Sequence, residues 1–477
     1  MGKGSVLKEI WHKWSKEEQI IKTDSLKLRD MSSSSQTDQE DRGVSRRNFL
    51  RGMALVGAAA GGAVGIGEGF LPAVNAAGSL DVQSASYVVY IDGTGTVSAR
   101  NGTTGVVDYS GTNAATVIQN AWNQVMAGTG RIYIRKGTYS LGTTSLVASD
   151  PSSLWEMIFE PGAKLTYSGT DFALKINAAT RGNIQQFNLE NVNIQSSGTA
   201  GGCIQSRGGY LFGMRSLRLF NSGNGPVTCL DLDNLNSGYV TGGWLNGPWT
   251  PSNPIGGTAG LRIANSVGDT SLVRVFSTLI SGCEKGVQLG TSPDTSSKSA
   301  AAIKLLSAEI ASNKYGIYAY VGQGIGIEHC WFENQASDSI VIDNPDGSNT
   351  PAGWEINYNA FNEFAGVNDL RVTNYLYYLR AQGNNWGAGN VALTQNTGAA
   401  DVDIATLLPA QLTMGGAVPA SFLLFKTLGV MTKAGMPTDE DFKFLPTEPT
   451  RARDGLLVVD TANNRLWIRS GGNWISA

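Results

Sequence analysis

The amino-acid sequence predicts an all-β fold, a parallel β-helix, on three grounds: a phrase repeating at near-constant intervals, an alternation inside each copy, and a composition rich in glycine but poor in charge. The phrase runs small, apolar, any, apolar, any. It stands at Ala173-Leu174-Lys175-Ile176-Asn177 and returns at Cys203-Ile204-Gln205, Cys229-Leu230-Asp231-Leu232-Asp233, Gly260-Leu261-Arg262-Ile263-Ala264 and Gly286-Val287-Gln288-Leu289-Gly290. Further copies are Gly316-Ile317-Tyr318-Ala319-Tyr320, Ser339-Ile340-Val341-Ile342-Asp343 and Asp369-Leu370-Arg371-Val372-Thr373. Between the first apolar residues of successive copies the steps are 30, 26, 31, 26, 30, 23 and 30, a period that belongs to solenoids, propellers and arrays.

Alternate residues of a strand point to opposite sides. The Leu, Ile and Val of each copy therefore face a common interior, while Lys175, Gln205, Asp231, Arg262, Gln288, Tyr318 and Arg371 face out. No segment of helical apolar spacing lies between the copies, which excludes the helix-bearing repeats. More short strand lies there: Ser216-Leu217-Arg218-Leu219, Leu279-Ile280, Glu309-Ile310, Trp331-Phe332 and Ala360-Phe361, followed by corner-forming Asn, Ser, Gly or Asp. Two or three such strands per coil, stacked in parallel, let each coil satisfy the backbone of the next around an aliphatic column. Sixty glycines against fifteen prolines, with 16% charged residues, suit a chain that turns often and buries its strands. A net charge of −3 without a basic stripe argues against a nucleic-acid partner.

Residues 1–77 are sequence of another kind. Residues 1–44 have the mixed charge and serine run of a disordered segment, and Met31 offers a second start. Ser45-Arg46-Arg47-Asn48-Phe49-Leu50-Arg51, the mildly apolar stretch 52–70 and Val74-Asn75-Ala76-Ala77 read as a twin-arginine export signal cleaved after Ala76 or Ala77. Arg46 and Arg47 are its defining pair. The twin-arginine translocase is the implied partner, and secretion or cell-surface display the implied destination. No later stretch is long and apolar enough to span a bilayer. Because this route carries folded proteins, the cysteines first meet reducing conditions. Cys203 and Cys229 share a phase in adjacent coils and Cys283 shares a corner phase with Asn313; small-residue stacking is expected, with a Cys203–Cys229 disulfide left open.

The solenoid domain is expected over 78–390. It opens with strand-like Tyr87-Val88-Val89-Tyr90-Ile91, then a helix over 113–126 whose Val117, Ile118, Ala121, Trp122 and Val125 form one stripe behind a Thr112 or Asn113 N-cap. That stripe suits a cap on the open end of the solenoid. Asp108-Tyr109-Ser110-Gly111-Thr112, Ala114-Ala115-Thr116-Val117-Ile118-Gln119, Gly130-Arg131-Ile132-Tyr133-Ile134 and Gly137-Thr138-Tyr139 together resemble the start of pectate-lyase-like right-handed parallel β-helix proteins. The resemblance is greater to the branch grouping rhamnogalacturonase- and epimerase-like enzymes with phage tailspike-like proteins. It implies a right-handed coil and a polysaccharide partner, with chemistry left open among lyases, hydrolases, epimerases and inactive binders. Stacking is expected to end near Asn384-Asn385-Trp386-Gly387, a proline-interrupted return segment to cover 391–453, and a small β-meander to fill 454–477.

Asp231 and Asp233 are the sharpest chemical feature, two carboxylates on one strand face with Arg262 one coil on. Residues two apart in a strand stand about 6.6 Å apart, compatible with the carboxyl pair of an inverting glycoside hydrolase. The family resemblance implies the lyase alternative, in which Asp231 and Asp233 hold Ca²⁺ against a uronate and Arg262 takes the proton. The plainer reading is a ladder in which Arg262 offsets carboxylate repulsion. Gln288, Tyr318, Tyr320 and Asp343 extend the strip as a carbohydrate surface, and Trp249, with Trp244, sits in a long connection that overhangs it. Glu309, His329, Trp331 and Tyr358 make a second candidate site on the adjoining face, His329 being suited to proton transfer near neutral pH. The Asn-Thr-Asp, Asp-Asp, Gly-His-Gly and Arg-Ile-Lys motifs of polygalacturonase-like hydrolases are absent, as are the Trp-Ile-Asp-His and Arg-x-Pro-x-x-Arg motifs of pectate lyases. The function expected is an exported polysaccharide lyase or hydrolase. The alternatives are a non-catalytic extracellular glycan-binding rod, alone or as a homo-oligomer, and a phage tailspike-like protein.

Overall fold

The chain, a computed structural model, is described for residues 85–149, 154–177, 184–264, 267–290, 299–343, 351–363, 367–373, 376–387, 390–393, 397–402, 412–414, 430–433, 435–439, 457–460, 462–463 and 465–476. It divides into two units, Met1–Ala76 and Ala77–Ala477. The first, with Arg46, Arg47 and the export signal read from them, lies outside the described residues.

The repeated phrases form one face of a parallel β-solenoid. Among the described residues this first face is an eleven-stranded sheet that includes Gly201–Arg207, Val227–Asp233, Ala259–Ala264, Lys285–Leu289, Tyr315–Ala319, Asp338–Ile342 and Asn368–Val372. Its aliphatic residues meet in direct register: Leu174, Ile204, Leu230, Leu261, Val287, Ile317, Ile340, Leu370 and Val391 form one unbroken interior column, every member fully buried. Each such side chain contributes roughly 1.5–3 kcal/mol through burial. A one-residue slip would turn the column outward, so the alternation fixes the register. Parallel pairing runs on past Gly387 through Asn390–Leu393 to Leu412–Met414, further than the sequence pattern marks, because the copies there lose the small-residue lead.

Each coil has two more faces. The second includes Trp155–Phe159, Thr270–Phe276, Lys304–Leu306 and Trp354–Asn357, and the third Ala163–Tyr167, Asn193–Ser196, Leu279–Ser281 and Trp331–Glu333. From Asn191 onward the chain turns between them at a single left-handed residue: Asn191, Ser216, Gly242, Ser277, Ser307, His329, Tyr358 and Gly383, all with φ of 47° to 65°, fall on one another in register. At the next position buried amides link the coils. Cys330 N–H donates to Asn359 Oδ1 (2.9 Å) and Asn359 N–H to Asn384 Oδ1 (2.9 Å), while Asn359 Nδ2 donates to Ile327 O (2.9 Å) and Asn384 Nδ2 to Ile356 O (2.7 Å).

The helix α1, Ala114–Met126, is capped by Asn113, whose Oδ1 accepts from Thr116 N–H at 3.1 Å. Its buried stripe includes the expected Val117, Ile118, Ala121, Trp122 and Val125, and Trp122 meets Trp155 edge to face at 5.2 Å. From Trp155 the interior rings stack onward to Phe187 (5.3 Å) and Phe212 (5.8 Å). The column stops at Gly238, where an added Cβ would lie 2.1 Å from the Phe212 ring. All four cysteines are free and buried, and burial pushes the Cys203, Cys283 and Cys330 thiols up. Near the C-terminus, Leu457–Asp460, Arg465–Ser470 and Asn473–Ser476 pair antiparallel, with Val430–Lys433 added in parallel. Trp474 Nε1 donates to Asp439 at 3.2 Å, and the same carboxylate accepts from Arg469. Among the described residues no helix is long and apolar enough to cross a membrane.

Candidate functional site

The outward residues of the first face also stand in register, as Lys175, Gln205, Asp231, Arg262, Gln288, Tyr318, Val341 and Arg371. Val341 takes the place opposite Tyr318. Asp343 lies two residues further on, where it accepts from Tyr318 Oη at 2.7 Å and from Thr373 Oγ1 at 2.6 Å.

Asp231 is held from both sides. Arg262 forks onto it, Nε to Oδ1 at 2.9 Å and Nη2 to Oδ2 at 2.8 Å, and Gln205 Nε2 donates from the preceding coil at 3.0 Å. This is a bidentate, charge-assisted contact. Burial alone would lower the Arg262 pKa, but Asp231 outweighs it and the net direction is up. Asp233 accepts from Val267 N–H at 3.2 Å, with Arg207 Nε at 4.0 Å. The two carboxylates are 1% and 0% exposed: on a crowded strip, long neighbours one coil away bond to a short outward residue from both sides. Ca²⁺ does not fit at Asp231, because the guanidinium already engages both oxygens, and among the described residues no group of three or more acidic, His or Cys side chains is placed to hold a metal.

Three coils on, the strip becomes aromatic. Tyr318 lies 5.1 Å from Tyr315 and 5.0 Å from Tyr320, centroid to centroid. Lys285 Nζ sits 5.4 Å from the Tyr318 ring and 5.9 Å from that of Tyr320, and Lys314 Nζ lies 5.0 Å from Tyr315, within cation–π range. Glu284 accepts from Lys314 at 3.3 Å and from Gly257 N–H at 2.6 Å. All six residues are half-buried. Burial, then the bond to Asp343, pushes the Tyr318 hydroxyl up, and burial lowers the Lys285 ammonium pKa. Tyr315, Lys285, Lys314 and Glu284 escaped the sequence reading. Their signal is that Lys285 and Tyr315 occupy the position just before Gly286 and Gly316, in register with each other. Two expected members withdraw: Gln288 is buried and spends its Nε2 on Gly290 O (2.8 Å), and Trp249 is buried, so it presents no ring to solvent.

The second candidate site is partly assembled. His329 and Tyr358 occupy the left-handed corner in adjacent coils and stack at 5.4 Å and 21°, with Tyr358 59% exposed. Gly383 below leaves the room, since a Cβ there would lie 2.5 Å from the Tyr358 ring. Glu309 and Trp331 pair in register, but Trp331 is buried and donates Nε1 to Glu333 at 3.2 Å.

No protein-family model matches this sequence, and no curated protein matches it. Among solved structures it is similar to the surface adhesin PfbA of Streptococcus pneumoniae, with 9% identity over 76% of this chain and 96% of that one and a TM-score of 0.40. Tailspike protein 3 of bacteriophage CBA120 matches at 12% identity over 81% and 71% with a TM-score of 0.29. The A-module of the mannuronan C-5 epimerase AlgE6 of Azotobacter vinelandii matches at 12% identity over 64% and 95% with a TM-score of 0.25.

Proposed function

We propose that this chain is an exported, right-handed β-helix that binds polysaccharide along its first face without cleaving it. One observation carries the reading: the half-exposed cluster of Tyr315, Tyr318 and Tyr320 under the Lys285 ammonium. Rings offer flat apolar surface to the CH faces of sugars, and the flanking ammonium and Asp343 carboxylate offer partners to hydroxyls or uronates. Burial and full engagement of Asp231 argue against a general acid or base there, since such a group must reach the substrate proton. Helix α1 serves as the N-terminal cap, supported by the Trp122–Trp155 contact.

The test is affinity electrophoresis on a panel of acidic and neutral polysaccharides, with unsaturated-product absorbance and reducing ends followed in parallel. Binding by the wild-type chain, a tenfold or greater loss in the Tyr318→Ala/Tyr320→Ala double variant, and retention in Tyr318→Phe are expected. Turnover that disappears in Arg262→Ala would overturn the non-catalytic reading.

A further inference from the structure

We propose a second ligand groove, on the third face, built for an uncharged, hydroxyl-rich chain. It shares no residue with the tyrosine cluster. Outward residues of the third face stand in register as Ser140, Thr166, Gln195, Phe220, Asn246 and Ser281. Beside them, at the corner leading to the first face, runs a column of serines with a repeated bond: Ser168 Oγ donates to Gly142 O (3.2 Å), Ser197 Oγ to Tyr167 O (3.4 Å) and Ser222 Oγ to Ser196 O (3.2 Å). Each hydroxyl spends its single proton on the coil before it, which orients the oxygen to accept from a ligand donor.

Between the two columns lies an open groove of about 370 Å³, lined by Ser, Thr, Gln, Gly and Tyr and by no charged side chain. It crosses four coils, which at a coil spacing of about 4.8 Å makes it elongated along the solenoid axis. Its wall is tight: a Cβ on Gly198 would lie 1.9 Å from Gly169 O, and one on Gly223 1.7 Å from Gly198 O, so the backbone is stacked without slack. Beyond Gln195 the column turns aromatic. Trp244, 40% exposed, packs edge to face on Phe220 at 4.8 Å and is fixed by donating Nε1 to Ser281 Oγ at 2.9 Å. Oriented hydroxyl and amide groups leading to a fixed ring match the polar edges and apolar faces of a sugar chain. The lining itself carries no charge, and the nearest outward cations, Lys164 and exposed Arg218, stand two residues along the strands from Thr166 and Phe220; the hydroxyl and amide lining therefore sets the ligand class as a neutral oligosaccharide, and a uronate oligomer tests whether those cations are used.

The experiment is calorimetric titration of the whole protein with uncharged gluco-, manno- and xylo-oligosaccharides and with a uronate oligomer, in wild type, Gln195→Ala, Trp244→Ala and Tyr318→Ala/Tyr320→Ala. Gln195 and Trp244 are exposed, so their variants are expected to keep the wild-type circular dichroism. The expected result is binding of an uncharged oligosaccharide that weakens at least tenfold in each groove variant and is unchanged in the tyrosine variant. Absence of uncharged binding, or binding insensitive to both groove substitutions, overturns the proposal. Loss confined to the tyrosine variant does so too, while leaving the first-face reading intact.

Discussion

Two polar columns inside this solenoid obey different arithmetic. In the corner behind His329 and Tyr358, Asn359 and Asn384 each offer an oxygen to the coil before and an Nδ2 to a carbonyl, so amide satisfies backbone coil after coil. One corner away the column starts in the same way, Asn313 and Gln335 each offering an oxygen to the coil before and an amide nitrogen to a carbonyl, and then passes to carboxylates. Glu363 accepts from Gln335 N–H (2.7 Å) and Ser339 Oγ (2.6 Å), but among the described residues neither oxygen of fully buried Asp369 has a hydrogen-bond partner of good geometry. Burial, with Glu363 adding and the Gly387 amide opposing, pushes the Asp369 pKa up to about 7. An amide carries donor and acceptor together and can repeat indefinitely; a carboxylate only accepts, so stacked acids need protons or cations from elsewhere. Asp231 shows the second remedy, an arginine from the next coil.

The contrast is broken most severely by removing an amide. Asn359→Leu strands the Cys330 amide and the Ile327 carbonyl, and at about 1–3 kcal/mol for each unsatisfied group the expected loss is roughly 3 kcal/mol in urea unfolding. Arg262→Ala leaves Asp231 buried with Gln205 alone and is expected to cost roughly 2–3 kcal/mol, checked in the same assay. An unchanged unfolding midpoint would mean that the ladder carries no stability.

Asp369→Asn sharpens the comparison by giving the carboxylate site an amide. The sign follows from a raised folded-state pKa. Below about pH 4 both states are protonated and no penalty exists; as pH rises toward 7 the unfolded carboxyl ionises first, so the native state loses stability through that window. The Asp369→Asn variant is expected to raise the unfolding free energy at pH 8 by at most about 4 kcal/mol, with the gain vanishing near pH 4. A gain equal at both pH values would show that charge is not its source.

The interior was legible because repetition doubles the signal. Leu230, Leu261, Val287 and Ile317 share a phase in the sequence and a column in the structure, and the Cys283–Asn313 corner is joined by a Cys283 N–H to Asn313 Oδ1 bond of 3.0 Å. The exterior was legible in direction only. Alternation says that Asp231, Asp233 and Gln288 point out, but not that neighbours one coil away bury them, because that depends on side-chain length across coils. The serine column left no trace, since Ser168, Ser197 and Ser222 look like ordinary corner residues until register aligns their hydroxyls. Trp249 was misplaced because a long connection fixes no side-chain direction.

The one-residue turn between the second and third faces has an evolutionary corollary. That edge keeps the same single left-handed position from Asn191 to Gly383, whereas in the coil before it the turn takes three residues, 160–162, so the constant corner begins at Asn191. Growth in coil length has been accepted elsewhere: the connection from the third face to the first runs over 247–258 in one coil and 282–284 in the next. From Asn191 on, this edge holds the coils to one spacing and the other connections take up the variation in length, which makes those connections the natural sites for inserting a tag or altering specificity.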